Sequence, residues 1–154
     1  MDCKYCSRGI DDLDLLTDLR IEFMGVLHPE YPPDHWEAVK IPVRKFLEKH
    51  LADGTYTGFT GTVDGNIVCA AMLFTYELLP LTEPEFRKTG YIINFFTRKE
   101  FRRRGYGRGL MAYIQDYARR EKINFLSLKA SEEGSFLYKQ CGFNYRTDMM
   151  EWEP

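Results

Sequence analysis
Apolar residues recur at every second position in some stretches of this chain and at every third or fourth in others. The two periods divide it into strands and helices. Residues 3–8 read as a short strand. Leu16, Leu19, Phe23 and Leu27 then form a helical stripe, with Asp11 and Asp14 placed to cap its start. His28-Pro29-Glu30-Tyr31-Pro32-Pro33 breaks that helix. Trp36, Val39, Val43, Phe46 and Leu47 predict a second helix over residues 34–51, turned inward on those five side chains and kinked or divided at Pro42. Residues 56–63 and 66–76 read as the two strands of a hairpin about Asp64-Gly65. Residues 79–89, with two prolines and mixed charge, read as a loop long enough to be functional.

The second half is more sharply patterned. Tyr91-Ile92-Ile93-Asn94-Phe95-Phe96-Thr97 is a run of aromatic and β-branched residues that predicts a buried strand. Leu110, Met111, Ile114, Tyr117 and Ala118 recur at helical spacing behind it. Residues 124–130 predict another strand, 133–140 a short helix and 143–152 a last strand of alternating character. The order β-α-α-β-β-β-α-β-α-β implies an α+β fold. Its expected form is a mixed, mostly antiparallel sheet of about six strands with helices on both faces. The length predicts one domain over residues 1–154.

Charge narrows the function classes. The net charge is −2, from 21 basic and 23 acidic residues, so a general nucleic-acid binder is disfavoured. The positive charge is local instead: Arg98, Lys99, Arg102, Arg103, Arg104 and Arg108 lie within one turn of structure, opposed by Glu100. No apolar segment is long enough to span a bilayer, and the first residues do not read as a signal peptide, so a cytoplasmic location is expected. The four cysteines read as structural thiols. His28, His35 and His50 lack metal-ligand spacing, so no metal is expected.

Between the central strand and its helix stands Arg102-Arg103-Arg104-Gly105-Tyr106-Gly107-Arg108-Gly109. Glycines let a backbone turn sharply and approach a ligand, and the free N–H groups of a first helical turn attract anions. The expected ligand is a phosphate or diphosphate. No Gly-x-x-x-x-Gly-Lys-Ser/Thr occurs, and Gly105-x-Gly107-x-Gly109 has the wrong spacing for a dinucleotide fingerprint. A plainer reading, a basic helix start whose glycines serve only the turn, is available on the loop alone.

Two motifs together change that balance. Arg102-x-x-Gly105-x-Gly107 resembles the acetyl-CoA diphosphate loop of the GNAT superfamily of N-acetyltransferases, and Leu137-Tyr138 followed by Gly142-Phe143 resembles that family's C-terminal signature. The element order is also similar to the family's. The resemblance implies a co-substrate, acetyl-CoA, whose arm lies along Phe95, Phe96 and Thr97, one of whose N–H groups would polarise the acetyl carbonyl. It implies a diphosphate held by the backbone of Arg103, Arg104, Gly105, Tyr106, Gly107, Arg108 and Gly109, with about two of the arginines, Arg102, Arg103 and Arg108 foremost, adding charge. Ser131, beside Ala130 and Gly134, would border the cofactor, and Tyr138 would be the general acid. No general base is assigned. Glu22 and Glu77 are candidates, and Asn94 stands where some relatives carry a carboxylate.

The implied function is acetyl transfer to a primary amine of a small molecule, peptide or protein in a ternary complex. A non-catalytic acyl-CoA-binding regulatory module is the alternative. Expected partners are acetyl-CoA or CoA, an unidentified amine and, as an option, a second copy in a homodimer. The acidic run Asp11, Asp12, Asp14, Asp18 and Glu22 would favour a cationic acceptor, although capping alone explains acid at a helix start.

Overall fold
The computed structural model describes residues 2–82, 87–146 and 148–154. Its elements are β1 (Lys4–Arg8), α1 (Leu13–Leu27), α2 (Pro33–Ala52), β2 (Tyr56–Val63), β3 (Asn66–Leu78), β4 (Arg87–Thr97), α3 (Tyr106–Arg120), β5 (Phe125–Leu128) and α4 (Glu132–Gln140). Short 3-10 turns precede α1 and follow β4. The five strands form one sheet in the order β1-β2-β3-β4-β5. Every neighbouring pair is antiparallel except β4 and β5.

Asp64 and Gly65 both adopt positive φ, 48° and 79°. This left-handed pair matches the twist of the strands it joins, and so closes the β2–β3 hairpin tightly. The sheet separates two apolar layers. On one face Leu110, Met111, Ile114 and Ala118 of α3 pack against Phe59, Val68, Leu73 and Ile92. On the other, Leu13, Leu16 and Leu19 of α1 and Leu47 and Leu51 of α2 pack against Ala70 and Met72. The period-2 alternation along β3 thus sends Ala70 and Met72 to one layer and Ala71 and Leu73 to the other.

Several expectations need correction. The sheet has five strands, not about six, because the described part of residues 143–152 is irregular. Its large side chains Tyr145, Met149, Met150 and Trp152 are all exposed, and an extended segment with nothing covering its apolar side chains is not stable. α2 runs through Pro42, which is exposed on the solvent side. The five side chains expected inward on α2 do not all turn in: Leu47 is buried, but Phe46 is 47% exposed, its ring lying against His50 and Tyr56. Leu27, the last of the α1 stripe, is 53% exposed. Asp11 and Asp14 make no capping hydrogen bond. β4 begins at Arg87, so the loop is shorter than expected. Residues 83–86 of that loop lie outside the described set.

Candidate functional site
β5 is short. It pairs with β4 only from Thr89↔Phe125 to Ile92↔Leu128, while β4 continues to Thr97. Among the described residues no strand covers the β5-side edge of β4 beyond Ile92. On its other edge β4 pairs with β3, and there Met72 opposes Ile93 while Ala70 opposes Phe96. One residue, Ala71, therefore faces two, Asn94 and Phe95. This is a β-bulge, which bends the strand and re-aims its side chains. Asn94 carries it at φ +55°, in the left-handed region that asparagine tolerates better than most residues. The Arg98 N–H donates to the Val68 carbonyl at 2.9 Å. By the alternation of antiparallel pairing, Phe95 and Thr97 then direct their peptide groups to the open edge.

The glycine-rich turn stands at the mouth of that opening. Gly105 precedes α3 at φ +83° with no side-chain cap. The N–H groups of Tyr106, Gly107 and Arg108 in the uncapped first turn have no intrahelical acceptor. A Cβ on Gly107 would meet Thr97 Oγ1 at 3.1 Å, Leu137 at 3.5 Å and the Phe95 ring at 3.7 Å, so the turn lies flush against the open part of β4. Gly109 differs. A Cβ there would overlap the Tyr5 hydroxyl, so its smallness serves the packing of α3 on β1. Tyr106 contributes its carbonyl to the same packing, accepting from Tyr5 Oη at 3.1 Å.

The arginines divide by role. Arg98 faces away, its guanidinium donating to both Glu22 oxygens at 2.7 Å. Arg102 donates to the Thr97 carbonyl at 3.0 Å and lies 3.8 Å from Glu133, so it braces the strand's end. Arg104 rests over the Phe101 ring. Arg103, at φ +62°, and Arg108 are exposed beside the turn.

Tyr138 reaches the site from α4, and its placement explains the spacing to Gly142-Phe143. Gly142 adopts φ +88° and donates to the Lys139 carbonyl at 3.1 Å, while Phe143 donates to the Tyr138 carbonyl at 3.0 Å. These are the two bonds of a Schellman C-cap. The apolar contact that accompanies it is between the Phe143 and Tyr138 rings, 6.2 Å apart. On its other side Tyr138 meets Phe95 edge-on at 5.7 Å. Its hydroxyl has no hydrogen-bond partner among the described residues. Burial, then the neighbouring Cys141, raises the Tyr138 phenol above its ordinary value, so it stays protonated. Ser131 caps α4, its Oγ accepting from the Gly134 N–H at 3.1 Å. Phe96 turns to the opposite layer and stacks on Phe23 at 5.3 Å.

That opposite face holds a group whose signal went unread. Arg20 lies on the α1 ridge between Leu16, which presses on Gly58, and Phe23, which covers Phe96. It donates to Asn94 Oδ1 at 3.2 Å. An arginine four residues after a buried leucine and three before a half-buried aromatic was the available clue. The two candidate bases fare differently from that arginine. Glu22 has both oxygens occupied by Arg98, and Glu77 pairs opposite Lys88, at the far end of β4 from the bulge. His28 contacts Glu30, His50 contacts Thr55, and His35 stacks on Tyr31. Among the described residues no cluster of His, Cys, Asp and Glu could hold a metal ion, and no helix is long and apolar enough to cross a membrane. A cavity of about 430 Å³ beside Gln115, Phe125 and Phe143 lies at the far end of α3 from its N-terminus, and nothing in it bears on the chemistry above.

Comparison with known proteins decides the family. The sequence model of the acetyltransferase (GNAT) family matches residues 14–143. The chain belongs to the GNAT acetyltransferase family. Its fold is similar to a GCN5-related N-acetyltransferase from Ralstonia eutropha JMP134, at 28% identity and TM-score 0.79 over 99% of both chains. It is also similar to a predicted acetyltransferase from Clostridium acetobutylicum solved with acetyl-CoA, at 20% identity and TM-score 0.81 over 99% of this chain and 96% of that one. A ribosomal-protein-alanine N-acetyltransferase from Brucella melitensis biovar Abortus 2308 shares the fold at 18% identity and TM-score 0.67, over 99% of this chain and 98% of that one. Among curated proteins none matches significantly. Within the GNAT fold, the two motifs flank the open stretch of β4, one at each side.

Proposed function
We propose that this acetyltransferase moves an acetyl group from acetyl-CoA to a primary amine, with both substrates bound together. The observation that carries the reading is the open edge of β4 past Ile92, flanked by the uncapped N-terminus of α3 and the unpartnered phenol of Tyr138. Acetyl-CoA would supply an activated thioester. The first-turn N–H groups of α3, with Arg103 and Arg108 beside them, fit its diphosphate. The peptide group of Phe95 and the N–H of Thr97 fit its amide-bearing arm as a neighbouring strand would. An N–H at that edge stabilises negative charge on the acetyl oxygen and contributes about 3 kcal/mol to lowering the barrier.

Proton transfers complete the chemistry. As the new N–C bond forms and the C–S bond breaks, Tyr138 gives its proton to the departing sulfur. The amine's proton passes to water, because neither Glu22 nor Glu77 stands free at the opening. The amine enters from the face of α1 and α2, since the α3 face holds the diphosphate.

Initial-velocity measurements of thiol release, varying acetyl-CoA and an accepted amine, test this. Intersecting lines are expected from a ternary complex. Parallel lines would refute direct transfer. Tight acetyl-CoA binding without amine-dependent release would leave only a binding module.

A further inference from the structure
The acceptor's side of the site is not acidic, despite the five carboxylates of residues 11–22. Asp12 pairs with Arg8 at 3.1 Å, Asp14 with Arg44 at 2.9 Å, Asp18 with Lys40 at 2.6 Å and Glu22 with Arg98 at 2.7 Å. Asp11 is exposed at the turn before α1. Each carboxylate along the helix is therefore already neutralised by a neighbour. Asp14 and Asp18, four residues apart, face α2 rather than the sheet. Arg20 is the one cation of α1, and it has no acidic partner among the described residues.

Arg20 is half-buried, on the helix ridge that faces the sheet. Burial lowers its affinity for its proton. Its one hydrogen-bond acceptor is Asn94 Oδ1, a neutral oxygen. Asn94 is 5% exposed, and its Nδ2 has no partner. The amide cannot turn to satisfy that nitrogen without setting a donor against the guanidinium. A half-buried cation and a buried unpaired donor thus meet at the bulge, one residue from Phe95 on the open edge. Each carries an energetic penalty that an anion would remove.

We infer that the acceptor is a small amine that also carries an anionic group, a carboxylate or a phosphate, which Arg20 binds while Asn94 holds the guanidinium in place. Asn94 adjoins Phe95, so anion and reacting amine are a few bonds apart on the same molecule. Tyr56, Phe74 and Tyr76, stacked at 5.2 Å intervals on the same face, wall the approach with aromatic surface. The cationic amine that the acidic sequence suggested is replaced by one whose charge is balanced by its own acid. This inference rests on the acetyl-transfer reading above.

The test is calorimetric titration of the CoA-saturated protein with matched pairs: glycine against glycinamide, glutamate against its diamide, and O-phosphoethanolamine against ethanolamine. At least one acid is expected to bind about tenfold or more tightly than its neutral partner, and the pair that does so tells carboxylate from phosphate. Arg20→Gln should abolish the preference, by weakening binding of the acid with little change for the neutral amine. Arg20→Lys should restore part of it. A merely structural Arg20 would lower the melting temperature of Arg20→Gln without altering the acid-to-neutral ratio. An unchanged ratio, or no preference for any acid in the wild type, overturns the inference while leaving the function standing. Failure of the protein to bind CoA at all would overturn both.

Discussion

Replacing Gly107 with valine places a branched side chain where the glycine-rich turn lies against β4. The Cβ alone would stand 3.1 Å from Thr97 Oγ1, 3.5 Å from Leu137 and 3.7 Å from Phe95. Alanine is therefore nearly tolerated. Thr97 must yield by a few tenths of an ångström, and the helix gains up to about 1 kcal/mol from losing a glycine. Valine adds two methyl groups with no space to enter, and overpacking of this kind costs about 1–3 kcal/mol. For a chain of this size that is a fall of roughly 3–10 °C in melting temperature, which leaves the protein folded at 25 °C. The effect on ligand binding should be larger. Displacing the turn removes one or more charge-assisted bonds to the diphosphate, each worth about 1.5–3 kcal/mol, so affinity for acetyl-CoA should fall by about 10-fold to 100-fold. Calorimetric titration of wild type, Gly107→Ala and Gly107→Val, each with a melting curve, reads both quantities. A folded valine variant that binds acetyl-CoA as tightly as wild type would refute the placement of the diphosphate.

Tyr138→Phe should lower kcat by about 10²-fold or more with acetyl-CoA affinity unchanged, measured by thiol release and titration. The raised phenol means that Tyr138 stays protonated up to and beyond the ordinary tyrosine value of about 10. Stability linked to that proton is therefore whole below about pH 10 and lost as pH rises through the higher folded value. Gly109→Val should act on stability instead, since its side chain would invade the space of the Tyr5 hydroxyl. A melting temperature lowered by several degrees is expected, with the residual folded protein still binding acetyl-CoA. Burial pushes the Cys69 thiol up to about 12, so in the native protein it should resist alkylation at pH 8, as mass spectrometry of iodoacetamide-treated samples would show.

What was legible in the chain was local. The turn at Gly105 and Gly107 and the cap at Gly142 and Phe143 are built from residues close in sequence, and Gly105 and Gly142 supply the left-handed backbone that each requires. The roles of the arginines were not legible. Arg98 belongs to Glu22 and Arg102 to the Thr97 carbonyl, and only the folded chain brings those partners in. Gly109 read as part of the anion loop because Tyr5, the residue it makes room for, lies on β1, far away along the chain. The charge balance of α1 was hidden for the same reason, since Lys40 and Arg44 of α2 pair with its carboxylates from outside the run. Alternation in residues 143–152 predicted a strand, but alternation describes a surface that needs covering and does not supply the cover.

The central claim is that acetyl-CoA lies along the open edge of β4 with its diphosphate on α3. Backbone amide shifts of the isotopically labelled protein, recorded as acetyl-CoA is added, test this most directly. Large changes are predicted at Phe95 and Thr97, from Arg103 to Gly109, and around Tyr138. Changes clustered instead at Gln115, Phe125 and Phe143, in the cavity at the far end of α3, would contradict the account.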